Sequence, residues 1–433
     1  MTPGPLALWG ERMRSAETRG TKVVERVLGF DAALEVVLEK AASLKPRSGE
    51  AVRLPESLGR VLSFPVRSDR DQPPFNRSTR DGFAVRAEDL MTGTWLRVAG
   101  QVRAGEEWAG EGLQNGQAIE AMTGAPVPDG ADAVVMLEHV ERDGGRIRLA
   151  EGRKLAAGEN IVQCGSEARG GDEVLPVGAE MTPAAIALAA GCGAGTVMVF
   201  TRPAVSVLAT GDELVDIDEV PGAAQIRNSN SYGMEALVTQ AGGSPVRLPV
   251  ARDERAALER AIAEARMADL LLLSGGVSMG EYDLVEDVLL SLGAEFFFTG
   301  VKMQPGKPLV FGRLPELDGA QEIFFFGLPG NPVSTQVTFA AFVEPLLRAM
   351  RGNVARGPRF LQATLGEDVS GKPGLTRLLP AKVDFDRVRP EVRLVAWQGS
   401  GDMAANALAN CYAVFPEGVE RFVSGESIAV LLK

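Results

Sequence analysis

From residue 204 to 350 the chain alternates nearly continuous apolar runs with stretches of helical spacing, and this alternation constrains the fold more than any other feature. The runs are AVSVLAT, PVRLPV, DLLLLS and residues 323–326, with helices expected over 231–240, 254–266 and 284–292. Strands that lack polar alternation must be buried on both faces. Helices between them supply the cover, so the stretch reads as a parallel α/β layer. Asn331 and Pro332 open one more helix as N-cap and first helical residue, and Pro345 kinks or shortens it.

The flanks differ in pattern. Residues 30–44 show helical spacing, with Ala33, Val36, Val37 and Leu38 near one face. Short β-type runs at 83–85, 95–98 and 133–137, separated by Gly, Pro and Asp, indicate a β-rich module. Beyond Arg351 the short runs return at 360–365, 376–383, 392–397, 411–415 and 427–432, which suits a small terminal barrel. No charge falls between Glu180 and Arg202, a span long enough to cross a bilayer. It divides instead into a short helix opened by Thr182 and Pro183, a stop at Gly191, Gly193 and Gly195, and a strand over 196–200.

In a parallel sheet, ligands bind beyond the carboxyl ends of the strands. Four loops there are unusual: Thr210, Gly211, Asp212 and Glu213; Ala251, Arg252 and Asp253; Ser274, Gly275, Gly276 and on to Asp283; and Gly327 through Pro329, Gly330 and Asn331. Each alone is an ordinary turn signal. On one sheet edge they combine glycines, whose backbone amides can approach an anion, with carboxylates suited to Mg²⁺. That pairing points to a phosphorylated ligand with a divalent ion. The stretch from Gly300 to Pro308 only imitates a P-loop, since five residues separate its glycines and Pro308 replaces the metal-binding Ser or Thr. Lys307 remains a point charge for an oxyanion.

Charge and rare residues narrow the function. Lys plus Arg is 45 against 57 Asp plus Glu, a net charge of −12, which disfavours nucleic acid and anionic membranes. A single histidine, His139, argues against imidazole metal clusters and Ser/His/Asp triads. Cys164, Cys192 and Cys411 form neither a CxxC pair nor a disulfide framework, so a reducing, cytoplasmic location is expected. The opening MTPGPLALWGERMR breaks too early for a secretory signal, and no export is expected.

Six strings in order, RDGFAVRA, MTGAPVPDGADAVVM, RPAVSVLATGDELV, SGGVSMGEYD, PGKP and GLPGNPVS, resemble the molybdopterin molybdenumtransferase family, bacterial relatives of the gephyrin E domain. The resemblance implies a multidomain α/β plus β protein. Its parts would be an extension over 1–29, a linker and dimerisation domain from 30–66 with 151–200, a β-rich module over 67–150, a molybdopterin-binding-like α/β domain over 201–350, and a barrel over 351–433. It implies insertion of molybdate, the substrate, into adenylylated molybdopterin with release of AMP, a need for Mg²⁺, and a homodimer whose site crosses the subunit boundary.

By motif position, Asp81, Thr123, Glu213, Asp253 and Asp283 look like the catalytic set, the last three metal-linked. Ser274, Gly275 and Gly276 would contact a phosphate, with Pro329, Gly330 and Asn331 beside them. Lys307, Ser334, Arg377 and Ser400 look like the molybdate pocket. The chain departs from the family at Gly300 and Gln304, where lysines are common, at Asn160, commonly an acid, and at Asn76 and Arg77, commonly Asp-Asn. Two alternatives stay open: a molybdopterin adenylyltransferase, which shares the α/β domain type and the SGG loop, and a non-catalytic molybdopterin-binding scaffold, which the lost lysines favour.

Overall fold

The computed structural model describes residues 25–90, 94–276, 284–316, 321–353, 357–385 and 388–433. The chain divides into two compact units. One takes in the described residues up to Glu50 together with Phe200–Lys433, and the other is Ala51–Val199.

The first unit holds the α/β layer as a six-stranded sheet. Its order is Ser244–Arg247, Ala204–Ala209, Leu270–Ser274, Ile323–Leu328, Val310–Leu314 and Glu295–Phe298. The first four strands run parallel and the last two antiparallel. Leu270–Ser274 is buried at every residue, as expected of a central strand covered on both faces. Helices Ser229–Gln240, Arg255–Ala265 and Leu284–Ser291 follow the strands as their spacing predicts.

After Ile323–Leu328, Pro332 opens a helix over Pro332–Thr338, with Asn331 at the N-cap position but no side-chain capping bond. A wide turn over Phe339–Val343 follows, in which the Glu344 N–H reaches back to the Phe339 carbonyl. The helix then resumes over Glu344–Met350. Pro345 explains the break, because its ring removes a donor and crowds the carbonyl four residues back.

Order begins before Phe30: Val27–Gly29 pairs in parallel with Gly300–Gln304. The helix expected near residue 30 spans Phe30–Ser43 and buries Phe30, Ala33, Val37 and Ala41. That stripe joins the core of the α/β layer, where Phe30 meets Phe342 edge-on at 5.3 Å. This helix therefore belongs with the layer and not with residues 51–66.

Five strands at the C-terminal end close a barrel: Thr376–Asp384, Glu391–Leu394, Phe360–Leu365, Ser427–Leu432 and Cys411–Phe415, which returns to the first. The strand Gly300–Gln304 also pairs with the barrel, setting Met303 beside Thr376 and Gln304 beside Arg377.

The second unit carries a six-stranded sheet built around Gly82–Val85. It also contains the short helix Pro183–Gly191, where the Thr182 hydroxyl accepts from the Ala185 N–H at the N-terminus. No helix among the described residues is long and apolar enough to cross a membrane.

Candidate functional site

At the carboxyl edge of the parallel strands, three of the four expected loops converge. Thr210, Glu213, Asn228, Asn230, Ser274, Gly275, Gly330 and Asn331 line one cleft of about 130 Å³. Strand register explains the convergence: Ala209 lies opposite Ser274 and Ser274 opposite Leu328, so the chain leaves the sheet at the same level three times. The Thr210 N–H donates to the Ser274 carbonyl at 2.9 Å and extends that ladder by one rung.

The glycines of the central loop are there by steric necessity. Gly275 has φ +89° and Gly276 φ +64°, a left-handed backbone that side chains resist. A Cβ on Gly275 would lie 2.4 Å from the Thr210 carbonyl oxygen, and one on Gly276 would lie 2.7 Å from the Thr210 hydroxyl. Thr210 is 2 % exposed, and its hydroxyl has no hydrogen-bond partner among the described residues.

The Pro329–Asn331 turn is held from the following helix. The Thr335 hydroxyl lies 2.7 Å from the Pro329 carbonyl and 3.1 Å from the Asn331 carbonyl. Asn230, which the sequence reading did not single out, ties the two glycine loops together. Its amide nitrogen donates to the Ser274 hydroxyl at 3.0 Å and to the Gly330 carbonyl at 2.6 Å. Two residues earlier, Asn228 caps the helix by accepting from the Ser231 N–H. An asparagine near the start of a helix has an ordinary use as a cap, and nothing in the sequence sets the second one apart from that use.

The carboxylates stand at one side of this cradle. Burial pushes the Asp253 carboxyl above the usual aspartate range, and the charges of Asp212 and Glu213 push it further. Among the described residues, no group of three acidic, His or Cys side chains is arranged to hold a metal. Asp283 lies outside the described residues.

The residues expected of the molybdate pocket lie on separate segments of the barrel and the layer. Arg377 sits in register with Gln304 and donates to the Ser370 carbonyl at 2.7 Å. Its buried Nε has no partner, and burial lowers the guanidinium pKa. The Ser400 carbonyl accepts the Val333 N–H at 3.0 Å, which places Ser400 beside Ser334. Lys307 is exposed, and its neighbour Gly306 approaches Thr338 so closely that a Cβ would lie 2.6 Å from the threonine methyl. Gly300 is buried beneath Val27, whose methyl would lie 3.2 Å from any added Cβ.

In the second unit the structure brings Asp81 and Thr123 together. The Thr123 N–H donates to the Asp81 carboxylate at 2.7 Å, and this bond, joined by the Thr123 side chain, holds the carboxyl below the usual aspartate range. The RDGF and MTGA strings are thus the two halves of one clamp.

Comparison with known proteins finds similar proteins over most of the chain. Family models match in chain order: the MoeA N-terminal region (domain I and II) at residues 28–193, a probable molybdopterin binding domain at 206–349, and the MoeA C-terminal region (domain IV) at 362–433. A molybdopterin molybdenumtransferase of Nostoc sp. is 34 % identical over 397 residues, 88 % of either chain. Its counterpart in Haemophilus influenzae is 33 % identical over 419 residues, 93 % of this chain and 98 % of the relative. The crystal structure of a molybdopterin biosynthesis moeA protein from Pyrococcus horikoshii OT3 superposes with a TM-score of 0.77 at 28 % identity, covering 94 % of this chain and 100 % of that one. A second Pyrococcus structure of the same description gives 0.73 at 31 %, covering 94 % and 99 %.

Proposed function

The chain belongs to the molybdopterin molybdenumtransferase family, and from that premise we propose that it joins molybdate to adenylylated molybdopterin, releases AMP and uses Mg²⁺. It is a transferase of molybdenum cofactor biosynthesis that acts by molybdenum insertion. The observation that carries the finer reading is the convergence of Thr210, Ser274, Gly275, Gly330 and Asn331 on one cleft beside Glu213. Backbone amides and hydroxyls there suit phosphoryl oxygens. Cleaving the link to AMP builds negative charge on those oxygens, which fixed donors stabilise without reorganising.

The residues fit a hard cation. Burial first, and then the charges of Asp212 and Glu213, raise the Asp253 carboxyl; a divalent ion would relieve the repulsive part, and Mg²⁺ ordinarily takes one or two carboxylates together with substrate phosphates. Glu213 and Asp253 would hold it, with Asp283 as the third expected ligand. Bound there, Mg²⁺ would offset charge on the phosphates.

For molybdate, the partly desolvated Arg377 with its unpartnered Nε supports an oxyanion pocket shared with Lys307, Ser334 and Ser400. Asp81 and Thr123 enter the same reading as a clamped turn of the second unit with a catalytic role of its own.

The reading includes a homodimer in the cytoplasm. The exposed Phe64 and Met198, which line one groove of the second unit, support self-association, and three free cysteines suit a reducing compartment. It also keeps 67–150 and 351–433 as separate domains. The decisive experiment follows AMP release from adenylylated molybdopterin with molybdate and Mg²⁺. Glu213→Gln should slow release at least tenfold with little change in melting temperature. Unchanged release would remove the metal assignment.

A further inference from the structure

We infer that Asn230 is a positioning residue that locks the Ser274 hydroxyl as a hydrogen-bond donor facing the cleft, so that the cleft selects ligands presenting only acceptor oxygens there. The inference rests on the reading that this cleft takes the phosphate-bearing substrate.

The argument is one of proton placement. A carbonyl oxygen can only accept, so the 2.6 Å contact to the Gly330 carbonyl fixes which end of the Asn230 amide is nitrogen. That nitrogen carries two hydrogens. One goes to Gly330, and the other goes to the Ser274 oxygen at 3.0 Å. Ser274 therefore accepts from Asn230 and cannot donate back to it.

The serine proton must point elsewhere, and among the described residues it has no acceptor. Ser274 is 3 % exposed, and its side chain lines the cleft. The Thr210 hydroxyl, on a residue 2 % exposed that lines the same cleft, is also without a partner among the described residues. Two buried hydroxyls with unspent protons in one cleft are costly unless a ligand accepts from them. The phosphoanhydride of an adenylylated substrate is all acceptor at its non-bridging oxygens. A ligand that offers a hydroxyl or an ammonium at the same place meets a donor facing a donor and is rejected.

Asn230→Asp reverses the arrangement with almost no change of shape. An aspartate oxygen accepts the Ser274 proton and withdraws it from the cleft. The extra negative charge also repels a phosphate, so affinity of the single variant decides nothing. The cost of Ser274→Ala in each background does decide. With ADP as the probe, followed by calorimetry on the full chain, Ser274→Ala should weaken binding about tenfold when Asn230 is intact, as loss of a hydrogen bond to a charged oxygen does. In the Asn230→Asp background it should weaken binding less than twofold, because the proton is already spent.

Equal penalties in the two backgrounds would overturn the inference while leaving the cleft as the nucleotide site. No penalty with Asn230 intact would also overturn it. Failure of the wild-type chain to bind ADP would overturn both the inference and the reading beneath it. If Asn230→Asp does not fold, Asn230→Ala supplies the second background. It frees the serine to rotate, and the Ser274→Ala penalty should again shrink; an undiminished tenfold penalty there overturns the inference.

Discussion

Replacing Gly275 by alanine tests the steric basis of the glycine cradle. Two costs can be read from the structure. Holding a residue with a side chain in the left-handed region at φ +89° costs about 1–2 kcal/mol. Placing a Cβ 2.4 Å from the Thr210 carbonyl forces the strand end and the loop apart by several tenths of an ångström, at about 1–3 kcal/mol for overpacking of this kind. Together the substitution should destabilise the first unit by about 2–5 kcal/mol, seen as an earlier urea transition by circular dichroism. Gly330→Ala is the control. Its Cβ would meet only the Gly275 Cα, at an ordinary 3.8 Å, and its backbone is not left-handed. Its transition should move by less than about 1 kcal/mol. AMP release should fall more than tenfold in Gly275→Ala, since the displaced loop carries the amides proposed to face the phosphate. A Gly275→Ala protein that unfolds with the Gly330→Ala control would refute the reasoning.

Asp81→Asn should speed amide exchange at Thr123, because a neutral amide oxygen replaces the carboxylate that now holds that N–H. In the wild type the clamp stabilises the module above the unfolded aspartate pKa and is lost as pH falls through the lowered folded value; Thr123 protection should therefore persist to lower pH than for an ordinary aspartate, as exchange measured against pH would show. Arg377→Ala should raise the molybdate KM at least tenfold while leaving ADP affinity unchanged, measured by AMP release and calorimetry on one preparation. Gln304→Lys sets a lysine in register with Arg377; it should lower the melting temperature without oxyanion and tighten molybdate use about tenfold, and a variant that responds to neither condition would exclude Gln304 from the pocket.

The α/β layer was legible because its central strands are buried on both faces, so apolar runs such as DLLLLS stand out from any neighbouring pattern, although the edge strand Ser244–Arg247 is largely exposed. The clamp of Asp81 and Thr123 lay in two recognisable strings, but neither string shows that one holds the other. Asn230 was hidden because asparagine near a helix start already has an explanation in capping. Val27–Gly29 was not legible at all: three residues in a charged, Gly-containing stretch carry no period, and their pairing is decided by the exposed edge of Gly300–Gln304. A side chain at position 300 would place its Cβ 3.2 Å from a Val27 methyl, so Val27 would have to give by a few tenths of an ångström for this strand to stay seated.

The strand Gly300–Gln304 has a mechanical consequence. It is laddered to Val27–Gly29 and to the first barrel strand, so a strand from before the first helix and the barrel from the far end of the chain belong to one sheet. Pulling either away from Gly300–Gln304 breaks main-chain hydrogen bonds rather than side-chain contacts alone. The strand therefore works as a splice between segments that lie far apart in sequence.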